Sequence, residues 1–107
     1  MLERRKHIRK AYQFQSSLFK LELYSPTKGV TVNVSPGGVL IKTKDCRAFG
    51  PNDQLVVTLF IPPSFSGQDK TISLQGAGVV CRVDQENEGV AVQFSKSLKQ
   101  FERIDKI

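Results

Sequence analysis

Hydrophobic and polar positions exchange places in short runs along this 107-residue chain, with turn residues between the runs. "VTVNV" (Val30–Val34) and "VLIKT" (Val39–Thr43) are β-branched and alternate with the period-two rhythm of a strand, and the tight turn "SPGG" separates them. "LVVTLFI" (Leu55–Ile61) is a third strand, and Pro62–Pro63 stop it. Lys70–Val83 reads as one long strand, in which Gly76 and Gly78 predict a bend or a close backbone approach. Asp84–Gly89 is a hairpin turn, and Val90–Phe94 is the last strand. Ala11–Tyr24 alternates more loosely. Its phase slips around Ser16–Ser17, where a bend or bulge is expected. After Phe94 the rhythm changes: Leu98, Phe101 and Ile104 recur three apart, predicting a helix over 96–105 with Ser95 or Ser97 as its cap.

About six short strands and one terminal helix predict an all-β fold, a small antiparallel barrel or sandwich. A barrel removes exposed strand edges, and the helix would cap one end or pack on a side. The length suits one domain over 1–107: an N-terminal arm (1–11), a strand-rich body (12–94) and the helix (96–105). No apolar run is long enough to span a bilayer, and no secretory leader pattern is present. A cytoplasmic protein without membrane insertion is expected. Whether the chain stands alone or is a piece of a longer one stays open.

Charge changes the picture at the N-terminus. The formal net charge is +6. Arg4, Arg5, Lys6, Arg9 and Lys10 face only Glu3 in the first ten residues, whereas the other 97 hold 11 basic and 9 acidic groups. A basic tenth of the chain implies an anionic partner: nucleic acid, a lipid surface or a phosphorylated small molecule. Cys46 and Cys81 are too far apart for a CxxC pair, and one histidine cannot complete a common zinc set. Both are expected as buried or half-buried free thiols.

The sequence contains no GxSxG elbow, Walker loop or HExxH, and "SPGG" lacks the lysine and helix of a phosphate loop. Asp84, Glu86 and Glu88 fall in a predicted turn and read as a solvated tip. A non-enzyme is expected, with no cofactor and no metal. Two stretches carry binding chemistry. "RRKHIR" (Arg4–Arg9) is either a solvated arm or a grip, because arginine's planar fork matches phosphate oxygens and the O6/N7 edge of guanine. "NVSPGG" (Asn33–Gly38) is either a plain turn or a ligand platform. Asn33 and Ser35, two apart at a strand end, project on one side, and Gly38 admits a close approach.

Taken together, an RxxxR stretch (Arg5 to Arg9) before the first strand and an [D/N]xSxxG stretch (Asn33, Ser35, Gly38) after the second resemble the PilZ domain family. "GAGVVCRV" and "GVAVQF" resemble that family's fifth and sixth strands. The resemblance implies a six-stranded antiparallel β-barrel with a C-terminal α-helix, and a receptor for the bacterial second messenger cyclic di-GMP. It implies that Arg5 and Arg9 grip phosphates and guanine edges, that Asn33 and Ser35 meet a guanine, and that Gly38 leaves room for it. Arg4 directly precedes the motif, and in the family a long basic residue there accompanies a stacked pair of ligands, so two per protomer are expected. Asn33 replaces the aspartate of many members. An amide has one acceptor oxygen for the two guanine donors, so weaker reading is expected. Lys6 and Lys10 add field, and His7 is a spacer. Arg82 faces either the ligand or the bare barrel surface. The signal would pass to an unidentified protein or domain partner as the arm orders on the ligand. The rival readings are a ligand-free adaptor of the same fold and a small-barrel nucleic-acid binder. The second is disfavoured because nine aromatics without tryptophan mostly alternate into the core, and the basic residues do not track a groove.

Overall fold

The computed structural model describes residues 12–20, 25–67 and 69–104. Among the described residues seven strands follow one another: β1 (Gln15–Phe19), β2 (Thr27–Ser35), β3 (Gly38–Lys42), β4 (Gln54–Ile61), β5 (Ile72–Asp84), β6 (Gly89–Phe94) and β7 (Glu102–Arg103). Every pairing is antiparallel. The sheet runs β4-β1-β2-β3-β6-β5, and a further β4–β5 pairing closes it into the six-stranded barrel expected from the sequence. β7 lies outside that ring, on β5.

Alternation fixes what faces inward. Val39, Val92 and Val80 form one transverse row across β3, β6 and β5, and all are buried. Leu18, Val57, Leu59, Ile41 and Val90 are fully buried beside them. Burying each such side chain contributes about 1.5–3 kcal/mol.

Gly78 and Gly76 serve the close approaches that the sequence predicts. A Cβ on Gly78 would lie 2.6 Å from Val92 Cγ1, and one on Gly76 would lie 2.5 Å from the Phe101 ring.

The C-terminal segment departs from the expected α-helix over 96–105. A single 3-10 turn, Leu98–Gln100, is followed by extended backbone and β7. The reason lies in β5. Its 13 residues outrun β6, which pairs only with Gly78–Asp84, so one edge of its first half would be bare. β7 pairs there with Leu74 and Gln75, and Ile104 N–H donates to the Ser73 carbonyl at 2.9 Å. The extended path also sets Phe101 edge-on to Phe94, with ring centroids 4.7 Å apart, above the space left by Gly76. The loop after β4 holds one helical turn, α1 (Pro63–Ser66), ended by Gly67 in the left-handed region at φ 73°.

The phase slip at Ser16–Ser17 is not a bulge. β1 runs in register with β2 and β4 throughout. Ser16 occupies an inward position between Phe14 and Leu18 and is 2% exposed. Its hydroxyl finds no hydrogen-bond partner among the described residues. Such a group costs about 1–3 kcal/mol. Ser16→Ala should therefore raise stability by about 1 kcal/mol, read as a higher urea midpoint at unchanged slope. A lower midpoint would show that the hydroxyl has a partner.

Candidate functional site

Two β-bulges decide what the outer face presents. In β2 the register with β3 shifts between Thr31 and Asn33. Thr31 pairs with the inward Ile41, whereas Asn33 pairs with Leu40 and Val34 with the inward Val39. Strict alternation from Thr31 would have turned Asn33 inward. The extra residue, Val32, is 40% exposed and resets the phase, so Asn33 and Ser35 share the outward register, with Ser35 itself largely buried under its turn. In β5 the register with β6 shifts between Val80 and Arg82, and Cys81 is the extra residue. Val80 stays inward and Arg82 comes out opposite Ala91.

The outer face of β2, β3, β6 and β5 then carries two transverse rows. One reads Asn33, Leu40, Ala91, Arg82, and the other Ser35, Gly38, Gln93, Val79. Three strand spacings make each row about 14 Å across. A groove of about 600 Å³ runs along this face, lined by Ser35–Leu40, Cys81, Arg82 and the segment 91–97. That volume lies within the range of small-molecule sites. Among the described residues, Arg82 and Lys96 are the charged ones lining it, with no acid. Asn33 stands at the β2 edge, opposite the lining residue Leu40.

The turn between β2 and β3 is held from several sides. Ser35 Oγ accepts the Gly37 N–H and donates to the Gly38 carbonyl, both at 3.3 Å. Phe94 N–H donates to the Gly37 carbonyl at 2.9 Å, and Leu98 N–H to the Pro36 carbonyl at 2.8 Å. The bonds of the Ser35 hydroxyl are at the long limit for such contacts and therefore weak. Gly38 has a structural reason of its own. A Cβ there would lie 2.6 Å from the Val92 carbonyl oxygen, which is backbone and cannot swing aside. At the far end of β5, Asp84 accepts from the Asn87 side chain at 2.8 Å and from its N–H at 3.2 Å. These bonds, and to a lesser degree the nearby Arg82 charge, hold its carboxyl below its ordinary value. This is the solvated tip expected for that turn.

Of the sequence-predicted residues, Asn33, Ser35 and Gly38 are brought to one face. Arg4, Arg5 and Arg9, with Lys6, His7 and Lys10, lie outside the described residues. Arg82 joins the groove, which the sequence left undecided. Gln93 and Lys96 were missed, because nothing in "VAVQFSK" signals which of its polar residues faces a cleft. The two cysteines part company. Cys46 is buried as expected, but Cys81 is exposed, because it follows the inward Val80 on β5 and so faces the groove. Among the described residues no cluster of His, Cys, Asp and Glu is placed to hold a metal, and no helix is long and apolar enough to cross a membrane.

The model of the PilZ domain matches residues 3–105. The chain belongs to the PilZ domain family. PilZ domains are in general non-catalytic receptor modules for cyclic di-GMP. No curated protein matches in sequence. Among solved structures, the Bacillus subtilis Inhibitor of motility (MotI/DgrA) is similar, with a TM-score of 0.69 at 18% identity. The likeness covers 90% of this chain and 44% of that protein, so this chain spans less than half the length of that relative. At this identity the likeness establishes the fold, including the closed barrel.

Gly38→Ala should lower stability by roughly 1–3 kcal/mol from overpacking alone. Thermal unfolding without ligand tests this, and an unchanged Tm would leave Gly38 with no structural role.

Proposed function

We propose that this PilZ domain is a cyclic di-GMP receptor that binds its ligand on the outer face of β2, β3, β6 and β5. The observation that carries this reading is the acid-free groove, with Arg82 and Lys96 in its lining and the Asn33–Gly38 turn at its rim. A doubly anionic ring with two guanines needs fixed cations and an amide or guanidinium at each base edge. Arg5 and Arg9 supply the forks, and Asn33 reads a guanine edge. Ser35 exchanges its weak turn contacts for a ligand contact. Gly38 keeps the groove floor low. Arg82 meets a phosphate or base at the opposite rim.

The arm reaches the site by chain length alone. Arg9 precedes Tyr12 by three residues, which span at most about 10 Å. Tyr12 lies beside β2, the strand that carries Asn33. Binding closes residues 1–11 over the ligand and alters the surface offered to a partner protein or domain. Arg4, by stacking on a base, admits a second ligand.

Isothermal titration with cyclic di-GMP, with GTP as control, tests the reading. Wild type should bind at micromolar affinity or better, at one or two ligands per protomer. Arg5→Ala should abolish detectable binding, and Asn33→Ala should weaken it about tenfold, the loss of one neutral hydrogen-bonded contact to a guanine edge. A ratio of one removes the Arg4 role. No heat at high micromolar ligand would favour the ligand-free adaptor.

A further inference from the structure

A second cleft, of about 340 Å³, opens on the barrel wall where β2 begins and β3 ends. Its lining includes Gln15, Lys28, Val30, Lys42, Lys44 and Glu88. The register explains why three lysines meet there. Lys42 pairs with Val30, so Lys28 is its diagonal neighbour across the β2–β3 ladder, and Lys44 stands two residues beyond Lys42. All three are exposed. Thr43, which is buried, ties the surrounding segments together. Its N–H donates to the Glu88 carbonyl at 2.8 Å. Its hydroxyl donates to the Lys28 carbonyl at 2.8 Å and accepts the Asp45 N–H at 3.3 Å. One side chain therefore fixes the backbones that carry Lys28, Lys44 and Glu88.

The charges in this cleft are not balanced. Long side chains at diagonal positions reach one another, and like charges there repel. Among the described residues the ion pair formed is Lys20–Asp53, so Lys28, Lys42, Lys44 and Glu88 stay unpaired although they share one cleft. Three cations thus face one carboxylate. The cleft also adjoins the ligand groove. Leu40 lines the groove and Lys42 lines the cleft, on either side of the inward Ile41, which puts them on the same outer face about 7 Å apart.

We propose that this cleft docks a short acidic segment of a partner protein. Carboxylates of the segment meet the three ammonium groups, and the lysine stems with Val30 give it an apolar floor. Charge complementarity also selects a peptide over a nucleic acid. Glu88 lines the cleft, and Asp84 and Glu86 stand in the same turn. A phosphate backbone is charged at every nucleotide and would run onto these carboxylates, whereas a peptide can place a neutral residue there. The inference stands on the cleft alone and does not depend on the cyclic di-GMP reading.

The test is an amide-resolved NMR titration of the ligand-free protein with a terminally blocked octaglutamate peptide at low salt. The Gly29, Thr43 and Lys44 amides should shift to saturation, and added salt should reverse the shifts. Combining Lys28→Gln, Lys42→Gln and Lys44→Gln should weaken binding at those amides about tenfold. Glu88→Gln, which removes the one carboxylate of the cleft, should tighten it about twofold. Shifts confined to other residues, or equal affinity in the triple variant, would overturn the proposal. Octauridylate or inorganic tripolyphosphate shifting the same amides at equal or lower concentration would make the cleft a phosphate site and also overturn it. Shifts of these amides with protein concentration alone, lost in the triple variant, would assign the cleft to a second copy of the chain instead.

Discussion

A closed barrel of six strands has no room inside it. Its interior is filled by the inward side chains of its own strands, here the valine row of β3, β6 and β5 with the leucines and isoleucine around it. Any ligand must therefore be met on the outside, on a surface that a simple alternating sheet would leave flat. The rest of the molecule answers that constraint. The Asn33–Gly38 turn raises one rim of the outer face, and the segment after β6 raises another. Phe94 and Leu98 tie the two together through the Gly37 and Pro36 carbonyls. The groove is the space left between them.

Bulges convert the barrel wall into a site. Asn33 and Arg82 stand on opposite rims, and each faces outward because one residue before it was inserted into the ladder. A single extra residue reverses the direction of everything that follows, at no cost to the inward rows. The insertion in β2 directly follows the buried Thr31, and the insertion in β5 turns Arg82 outward beside the exposed Cys81. The same device therefore turns a polar side chain outward on each of the two strands.

The strands were largely legible because their apolar positions alternate over five or more residues between proline, glycine and asparagine breaks. The family was legible from the pairing of Arg5 and Arg9 with Asn33, Ser35 and Gly38. The bulges were not. "VTVNV" alternates so well that Val30, Val32 and Val34 read as one face, yet Val34 is buried and Val32 is exposed. Cys81 departs from expectation for a different reason: the general burial of free cysteines says nothing of its outward position after the inward Val80. The terminal helix was misread because a period of three in Leu98, Phe101 and Ile104 does not distinguish a helix from a 3-10 turn followed by a strand. The free edge of β5 decided between them, and that is a tertiary fact. Ser16 looked like a break in phase because a serine in a core position imitates one.

The proposed ligand position is the outer groove between the two bulges. Cys81 reports on it directly, since its thiol lies in that groove while Cys46 is buried. The measurement is the rate of Cys81 alkylation by iodoacetamide, followed by intact mass and peptide mapping, with and without saturating cyclic di-GMP. Cyclic di-GMP should protect Cys81 at least severalfold and GTP should not, with no labelling of Cys46 in the folded protein. An unchanged rate at a ligand concentration shown by titration to saturate the protein would place the ligand elsewhere and contradict the account.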